Sequence, residues 1–192
     1  MADSVEFDTI YPADSVEFCP HPSASDLLVC GTYNLVKDAP TAEDSTQKRI
    51  GQCLLFKISE NPTLALFDAG VTTIQSHPHK ENQLAVGSYD NTVRLFDKRK
   101  PSVPFAQSDV GGGVWRVKWH PSPERKDDLL VACMHDGFKL VRFDAGDPAI
   151  VTRFDRHTSL AYGADWSFSD ANAATTVASC SFYDHKLHLW RA

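Results

Sequence analysis

The sequence contains no uninterrupted run of about 18 apolar residues, which is the least that a membrane-spanning helix needs. Its first residues also lack the basic segment followed by an apolar one that marks a secretory leader. We therefore expect a protein that neither enters a membrane nor is secreted. The cytoplasm, a reducing compartment, is the expected location.

Long runs of Lys and Arg are also absent, and the formal net charge is −6 at pH 7. A chain with this charge is not expected to bind nucleic acid through its overall electrostatics. The hydrophobic fraction of 42% and the charged fraction of 23% are ordinary for a folded protein. The composition therefore argues against a disordered chain and predicts no direct contact with DNA or RNA.

Cysteine spacing argues against two kinds of site. The five cysteines include no C-x-x-C pair, so the sequence suggests neither a zinc site nor a disulfide framework, and we expect no metal and no cofactor. Cys30, Cys133 and Cys180 lie at equivalent points of a repeated segment. Their expected role is that of a small buried hydrophobic side chain, and a reactive thiol is the alternative.

Two familiar hydrolase signatures are missing as well. The chain has neither G-x-S-x-G nor H-E-x-x-H. Because of this absence, the sequence alone names no catalytic triad.

What the chain does contain is a repeated β-hairpin. In LAVGSYDNTVRLFD (84–97) an apolar strand leads to a tight turn at Asp90, and the next strand alternates apolar and polar residues. The pattern recurs around Asp184 in SCSFYDHKLHLW (179–190) and around Asp136 in CMHDGFKL (133–140), and CGTYN (30–34) is the front half of a fourth copy. The turn aspartates advance by 136 − 90 = 46 and 184 − 136 = 48 residues, which is typical of WD40 propeller blades.

These repeats predict an all-β fold, a WD40-type β-propeller of about four blades that forms a single domain over residues 1–192. The blades are expected at 14–67, 71–107, 114–154 and 157–192. The last repeat has no fourth strand, and we expect residues 5–10 to supply it and to close the ring. Four blades is the lower end of the propeller range, so an open ring is the alternative, and its unpaired sheet edges would favour self-association.

One histidine has a position that is typical of WD40 repeats. His157 lies 166 − 157 = 9 residues before Trp166, the interval at which such repeats place a histidine before the end of the first strand. We expect His157 to form a side-chain hydrogen-bond network with Asp184 and Trp190 that stiffens the last blade. A catalytic role is the alternative.

Five longer segments resemble one family. They are GSYDNTVRLFDKR (87–99), GGGVWRVKWHP (111–121), LLVACMHDGFKL (129–140), HTSLAYGADWS (157–167) and CSFYDHKLHLW (180–190). Together they resemble the diphthine methyltransferase family of WD40 proteins. ADSVEFCP (13–20) and LLVCGTYNL (27–35) resemble the N-terminal segment of that family. Family members are longer, with further blades between the segments that end near Phe67 and start near Val71 here, so the resemblance implies an incomplete or open propeller.

The resemblance also implies an activity. Members of the family act as esterases that remove a methyl ester from methylated diphthine on translation elongation factor two, so that the final amidation of diphthamide synthesis can follow. The alternative is a WD40 interaction module without catalysis, or an inactive truncated form. A scaffold in ubiquitin ligation or vesicle traffic is a third alternative.

Ester hydrolysis needs an activated nucleophile or water and a base with a pKa near neutral. In a propeller, the segments leading into the first strands share one rim with the turns between second and third strands. His135 and His185 lie in two of these turns and are the candidate bases, and Asp136 is grouped with them as a catalytic candidate. Asp136, like Asp90 and Asp184, has the alternative role of stabilising a tight turn.

The expected substrate-binding residues lie on the same rim. The resemblance implies a substrate side chain with a quaternary ammonium group, which an aromatic cage in an acidic field would attract. The residues expected to form this cage are Tyr89, Trp115, Tyr162 and Tyr183. Arg116 is a further candidate for substrate binding. Packing between blades is the alternative role for the aromatic residues.

Overall fold

The structure is a computed structural model that describes residues 8–19, 21, 27–36, 49–57, 63–67, 69–168 and 174–192. Within these residues the chain forms four antiparallel sheets, and each sheet contains strands that follow one another along the chain. The all-β prediction is therefore confirmed, and the sheets form an incomplete β-propeller. Sheet 1 contains β1 (Ala13–Phe18), β2 (Leu27–Leu35), β3 (Arg49–Lys57) and β4 (Thr63–Phe67).

The other three sheets repeat this order from the inner strand outwards. Sheet 2 contains β5 (Val71–Ser76), β6 (Gln83–Ser88), β7 (Thr92–Asp97) and β8 (Ala106–Asp109). Sheet 3 contains β9 (Val114–Trp119), β10 (Asp128–Cys133), β11 (Phe138–Arg142) and β12 (Ala149–Phe154). Sheet 4 contains β13 (Ala161–Trp166), β14 (Thr176–Ser181) and β15 (Leu187–Arg191).

The turns after β6, β10 and β14 form where the sequence predicts them, and each contains an aspartate. In sheet 2 the Asp90 carboxylate accepts a hydrogen bond of 3.1 Å from the Thr92 amide, and Asn91 adopts a left-handed backbone with φ 65°. In sheet 4 Asp184 accepts a 3.0 Å bond from Lys186. Asn and His tolerate the left-handed backbone region better than most residues. The residue after Asp184 is His185, so it suits this turn as Asn91 suits the turn of sheet 2.

Apolar contacts between neighbouring sheets hold the arc together. A separate buried cluster fills each of the three spaces between consecutive sheets. The inner strands β1, β5, β9 and β13 pack side by side in that order. Among the described strands, β13 has no comparable packing with β1, so the four sheets form an open arc.

The outer strand of sheet 2 begins later than predicted. The sequence predicts it at 103–107, whereas β8 is Ala106–Asp109. Pro104 carries no amide hydrogen and cannot donate to a β-ladder. The first donor after it is the Phe105 amide, which gives a 2.9 Å hydrogen bond to the Leu95 carbonyl, and pairing starts at that point.

The strand predicted to close the ring falls only partly within the described residues. Residues 5–7 lie outside them, and residues 8–10 form no strand. The Asp8 carboxylate instead accepts a 2.8 Å hydrogen bond from the Ile10 amide, and Ile10 has a left-handed φ of 67°. Sheet 4 therefore contains three strands within the described part of the chain.

The prediction of burial for the three repeat cysteines is correct for two of them. Cys30 and Cys133 are buried, and burial raises the pKa of the Cys133 thiol to about 12. Cys180 is exposed, so the prediction is wrong there. Cys180 pairs with Leu187 across the sheet-4 ladder, on the face that no following sheet covers.

Helical structure in the described residues is limited to two short 3₁₀ turns, at Pro123–Arg125 and Met134–Asp136. None of these described segments has the length and apolar character of a membrane-spanning helix.

A buried histidine joins sheets 2 and 3 on the rim opposite the hairpin turns. The His77 side chain is 1% exposed, and its Nε2 lies 2.8 Å from the Lys126 carbonyl, which can only accept a hydrogen bond. Its Nδ1 accepts 2.9 Å bonds from the amides of His79 and Lys80. The neutral ring thus satisfies every partner, and burial lowers the pKa of His77 to about 4.

We expect His77 to make the protein less stable as the pH falls. The histidine of the unfolded chain takes up a proton near its ordinary pKa of about 6.5, whereas the folded one does so near 4. The unfolded state therefore binds more protons between these values, and up to roughly 3 kcal/mol of stability is lost as the pH falls through this window. Urea unfolding of His77→Gln from pH 7 to pH 4 should show a shallower pH dependence than the parent chain.

The matched control is His79→Gln, because His79 is exposed. Its pH dependence should equal that of the parent. If the stability of His77→Gln depended on pH as that of the parent does, this result would contradict the low pKa of His77.

Candidate functional site

The rim that carries the hairpin turns also carries the segments leading into the inner strands. The Thr158 amide, just before β13, donates a 3.0 Å hydrogen bond to Asp184 in the sheet-4 turn. The backbone of Gly112, just before β9, lies against Asp136 in the sheet-3 turn, and a Cβ at Gly112 would meet the Asp136 side chain at 3.0 Å. In each of these two sheets the contact holds the lead-in segment against the turn, so both lie on one rim.

Six aromatic rings follow one another along this rim, and we call them the aromatic row. The four predicted cage residues all belong to it. Centroid distances are 6.3 Å from Tyr33 to Tyr89, 6.0 Å from Tyr89 to Trp115 and 4.6 Å from Trp115 to Tyr162. Phe182 then lies 5.1 Å from Tyr162 and 4.8 Å from Tyr183. The row runs across all four sheets.

Two features show what the aromatic row can bind. The Arg49 guanidinium lies over the Tyr89 ring at 4.7 Å from its centroid, so one ring of the row already contacts a cation through its face. The indole N–H of Trp115 is buried and has no hydrogen-bond partner within the described part of the chain. A cation and a hydrogen-bond acceptor are therefore the two groups that the row suits chemically.

A cleft of about 640 Å³ opens at the end of the row, between the turns of sheets 3 and 4. Its lining is mostly polar: His135, Asp136, Gly137, Asp155, His157, Thr158, Ser159, Leu160 and Tyr183. His135 is exposed at the 3₁₀ turn after β10. Tyr183 belongs to both features, so the cleft is continuous with the aromatic row.

Two cations hold the Asp136 carboxylate. Lys139, which is 1% exposed, pairs with it and also donates a hydrogen bond to the Val110 carbonyl. Arg153 donates a 2.8 Å bond to the other carboxylate oxygen. The pKa of Asp136 lies below its usual range, and the hydrogen bond from Lys139 is the largest cause. Asp136 is therefore a fixed anion at the edge of the cleft.

The network predicted around His157 is present in part. Ser179 is its central member, whereas His157 Nδ1 makes no hydrogen bond to Asp184 or to any other described residue. The Ser179 hydroxyl lies 3.0 Å from His157 Nε2 and accepts a 3.1 Å hydrogen bond from the Trp190 indole. His157 Nδ1 lies 3.8 Å from Asp184. Burial lowers the pKa of His157. The pKa of Asp184 lies far below its usual range, and the largest cause is the hydrogen bond from the Ser181 hydroxyl. The network ties the lead-in segment to the second and third strands of sheet 4.

The remaining two site candidates lie apart from the cleft. His185 is exposed in the sheet-4 turn with a left-handed φ of 55°, and it is not among the described residues that line the cleft. Arg116 is exposed in β9 and is also not among the described residues that line the cleft. Of the two candidate bases, the structure thus brings only His135 together with Tyr183.

Sequence reasoning missed several members of the site. Tyr33 occupies the same place in CGTYN as Tyr89 does in GSYDN, so the repeat alignment contained that signal. Phe182 stands directly before Tyr183 and carried no signal of its own. The partners Lys139 and Arg153 of Asp136 come from two neighbouring strands, and only the β-ladder places them beside the turn.

Among the described residues, no group of three or more His, Cys, Asp or Glu side chains is arranged to hold a metal ion.

Comparison with known proteins gives two results. The family model of the WD domain, G-beta repeat (WD40), matches residues 62–97. The chain is also similar to three curated proteins. It is 41% identical over 135 residues to the diphthine methyltransferase homolog of Dictyostelium discoideum (64% of this chain, 35% of that protein). It is 42% identical over 118 residues to human diphthine methyltransferase (59% and 26%), and 34% identical over 151 residues to that of Saccharomyces cerevisiae (65% and 38%).

The chain thus spans about a third of the length of the curated relatives that it matches. The names of these relatives refer to diphthine, a modified amino acid. The match to the WD40 model coincides with β4 to β7, which contain the first complete hairpin of the repeat.

We expect Ser179→Ala to destabilise the protein by about 1 to 3 kcal/mol, because the Trp190 indole and His157 both lose their buried hydrogen-bond partner. Urea unfolding of the parent and the variant measures this difference. Ser102→Ala is the control, since Ser102 is exposed and should change stability by less than about 0.5 kcal/mol. Equal stability of the two variants would contradict a structural role for the network.

Proposed function

We propose that this chain, which belongs to the diphthine methyltransferase family of WD40 proteins, hydrolyses the methyl ester of methylated diphthine on translation elongation factor two in the cytoplasm. Relatives that carry the name diphthine methyltransferase support a role in diphthamide synthesis. The aromatic row and the adjoining cleft support the assignment of the reaction to this rim.

One observation carries the proposal. Tyr183 is the last ring of the aromatic row and also lines the cleft that contains His135. A substrate with a cationic group next to an ester would therefore find an aromatic surface for the cation and a titratable base for the ester at adjacent places. Methylated diphthine combines these two groups on one side chain.

The aromatic row would hold the quaternary ammonium. A trimethylammonium group is a large, weakly hydrated cation, and aromatic ring faces bind such groups through their quadrupole. Trp115 and Tyr162, whose centroids are 4.6 Å apart, form the closest pair among the predicted cage residues.

His135 would act as the general base in the cleft. It takes a proton from water, and the water oxygen attacks the ester carbonyl carbon. The tetrahedral intermediate then expels methoxide, which receives the proton from His135 and leaves as methanol. The carboxylate of Asp136, kept ionised by Lys139 and Arg153, favours the imidazolium that forms on its neighbour. The products are methanol and a carboxylic acid, which releases its proton to solvent and becomes a carboxylate.

A second function has one observation in its favour. Asp136, which the sequence groups with the catalytic residues, is fully engaged by two cations, as in a turn whose carboxylate serves structure alone. A WD40 module that binds the modified elongation factor without turnover is consistent with that arrangement. The two functions differ in one measurable product, which is methanol.

We expect the purified chain to release methanol from elongation factor two that carries methylated diphthine. His135→Ala should lower the rate at least about a hundredfold, because general bases contribute by that order. His185→Ala is the matched control and should retain the parental rate, since His185 lies outside the cleft. Binding without methanol release by the folded parent chain would favour the interaction module, and full activity of His135→Ala would refute the assigned base.

The aromatic row predicts that the protein prefers a positively charged side chain over a neutral one of the same shape. A peptide with a trimethylammonium side chain should bind more tightly than one with its neutral tert-butyl isostere, and calorimetry would measure both affinities. Trp115→Ala or Tyr162→Ala should weaken binding of the cationic peptide by about 2-fold to 30-fold, which corresponds to about 0.5 to 2 kcal/mol for a cation on a ring face. Affinity that is unchanged in both variants would rule out the cage.

A further inference from the structure

The repeat lets equivalent residues of sheets 2 and 4 be compared directly. The turn aspartates Asp90 and Asp184 are 184 − 90 = 94 residues apart, and the same offset relates Val93 and Leu95 of β7 to Leu187 and Leu189 of β15. Val93 and Leu95 are 0% and 1% exposed, because sheet 3 covers them. The corresponding leucines of sheet 4 are 68% and 71% exposed.

Sheet 3 follows the pattern of sheet 2. Its hairpin is one residue tighter, so the equivalent residues are Phe138 and Leu140 of β11. They are 0% and 2% exposed and pack in the cluster that contains residues of β13. The apolar third-strand pair is thus buried in sheets 2 and 3, each of which is followed by another sheet.

The opposite end of the arc shows the complementary half of this contact. Val117 and Trp119 near the end of β9 are 1% and 3% exposed because they pack against sheet 2. Val16 and Phe18 occupy the same places at the end of β1, since Phe18 pairs with Leu28 as Trp119 pairs with Leu129. Val16 is 69% exposed and Phe18 is 54% exposed.

Each end of the arc therefore exposes one half of a contact that the molecule forms three times internally. Within the described residues these two halves do not meet, because β13 does not pack on β1 as the other inner strands pack on one another. Large apolar surfaces of this kind on a folded protein mark a binding surface. A partner that covers both ends must present both halves, and a second copy of this chain does so.

We propose that two copies associate head to tail, with sheet 1 of each packed on sheet 4 of the other, and that they close an eight-bladed ring. Eight blades is within the range that propellers adopt, about four to eight. A contact between two different surfaces either closes into a ring or continues into a fibre. Closure with two copies covers both end faces and leaves no free end of the arc.

The oligomeric state tests the proposal. Light scattering after size exclusion should give twice the chain mass of 21.3 kDa. Two double variants each remove one half of the contact: Leu187→Lys with Leu189→Lys, and Val16→Lys with Phe18→Lys. Either variant alone should be monomeric, because neither retains a matching pair of surfaces. An equimolar mixture should form a dimer through the one contact in which both halves are intact. This dimer should be weaker than that of the parent, because the lysines of the two variants meet at the second contact.

Two controls keep the result specific. Val103→Lys with Phe105→Lys replaces residues of similar exposure, 68% and 58%, that lie outside both end faces, and this variant should remain dimeric. Circular dichroism reports whether each variant is folded.

The exposed Cys180, which lies across the ladder from Leu187, should react with a maleimide more slowly in the parent dimer than in the monomeric Val16→Lys with Phe18→Lys variant.

Several outcomes would overturn the proposal. A parent chain that is monomeric at all concentrations tested would do so, as would folded variants that dimerise alone. Failure of the folded variants to combine on mixing would exclude a head-to-tail contact. Species that grow without limit would exclude closure with two copies.

Discussion

Burial of apolar side chains between consecutive sheets is the interaction on which this structure depends. No sheet of four short strands can bury both of its faces alone, so each relies on a neighbour to cover the pair of residues on its third strand. Val93 and Leu95 are covered by sheet 3, and Phe138 and Leu140 are covered by sheet 4. The same requirement leaves Leu187, Leu189, Val16 and Phe18 exposed, because the arc ends where they lie.

A second constraint operates at the hairpin turns. Each turn contains an aspartate, but its partners differ from sheet to sheet. Asp90 pairs with Arg94 at 2.7 Å, Asp136 pairs with Lys139 and Arg153, and Asp184 contacts His157 and the Ser181 hydroxyl. Fixing these turns also fixes the aromatic residues beside them. Tyr89 and Tyr183 stand directly before Asp90 and Asp184, so the contacts of these two aspartates also position two rings of the aromatic row.

The sequence predicted the strands more reliably than their ends. Alternation of apolar and polar residues locates β7 and β15 because a strand directs successive side chains to opposite faces. The start of β8 was missed because Pro104, which cannot donate a ladder hydrogen bond, lies inside a segment that otherwise resembles a strand. Cys180 was expected to be buried since its repeat position is buried elsewhere, and only the absence of a covering sheet changed its environment.

The sequence by itself determined the hairpins, the turn aspartates and the four aromatic residues predicted for the rim, because all of these depend on local patterns that repeat at a constant period. Only the tertiary structure decided which of the two candidate histidines shares a cleft with the aromatic row, which cations hold Asp136, and that Ser179 completes the His157 network. These features depend on residues from different strands and sheets. Their proximity follows from strand register and sheet packing, which no single stretch of sequence encodes.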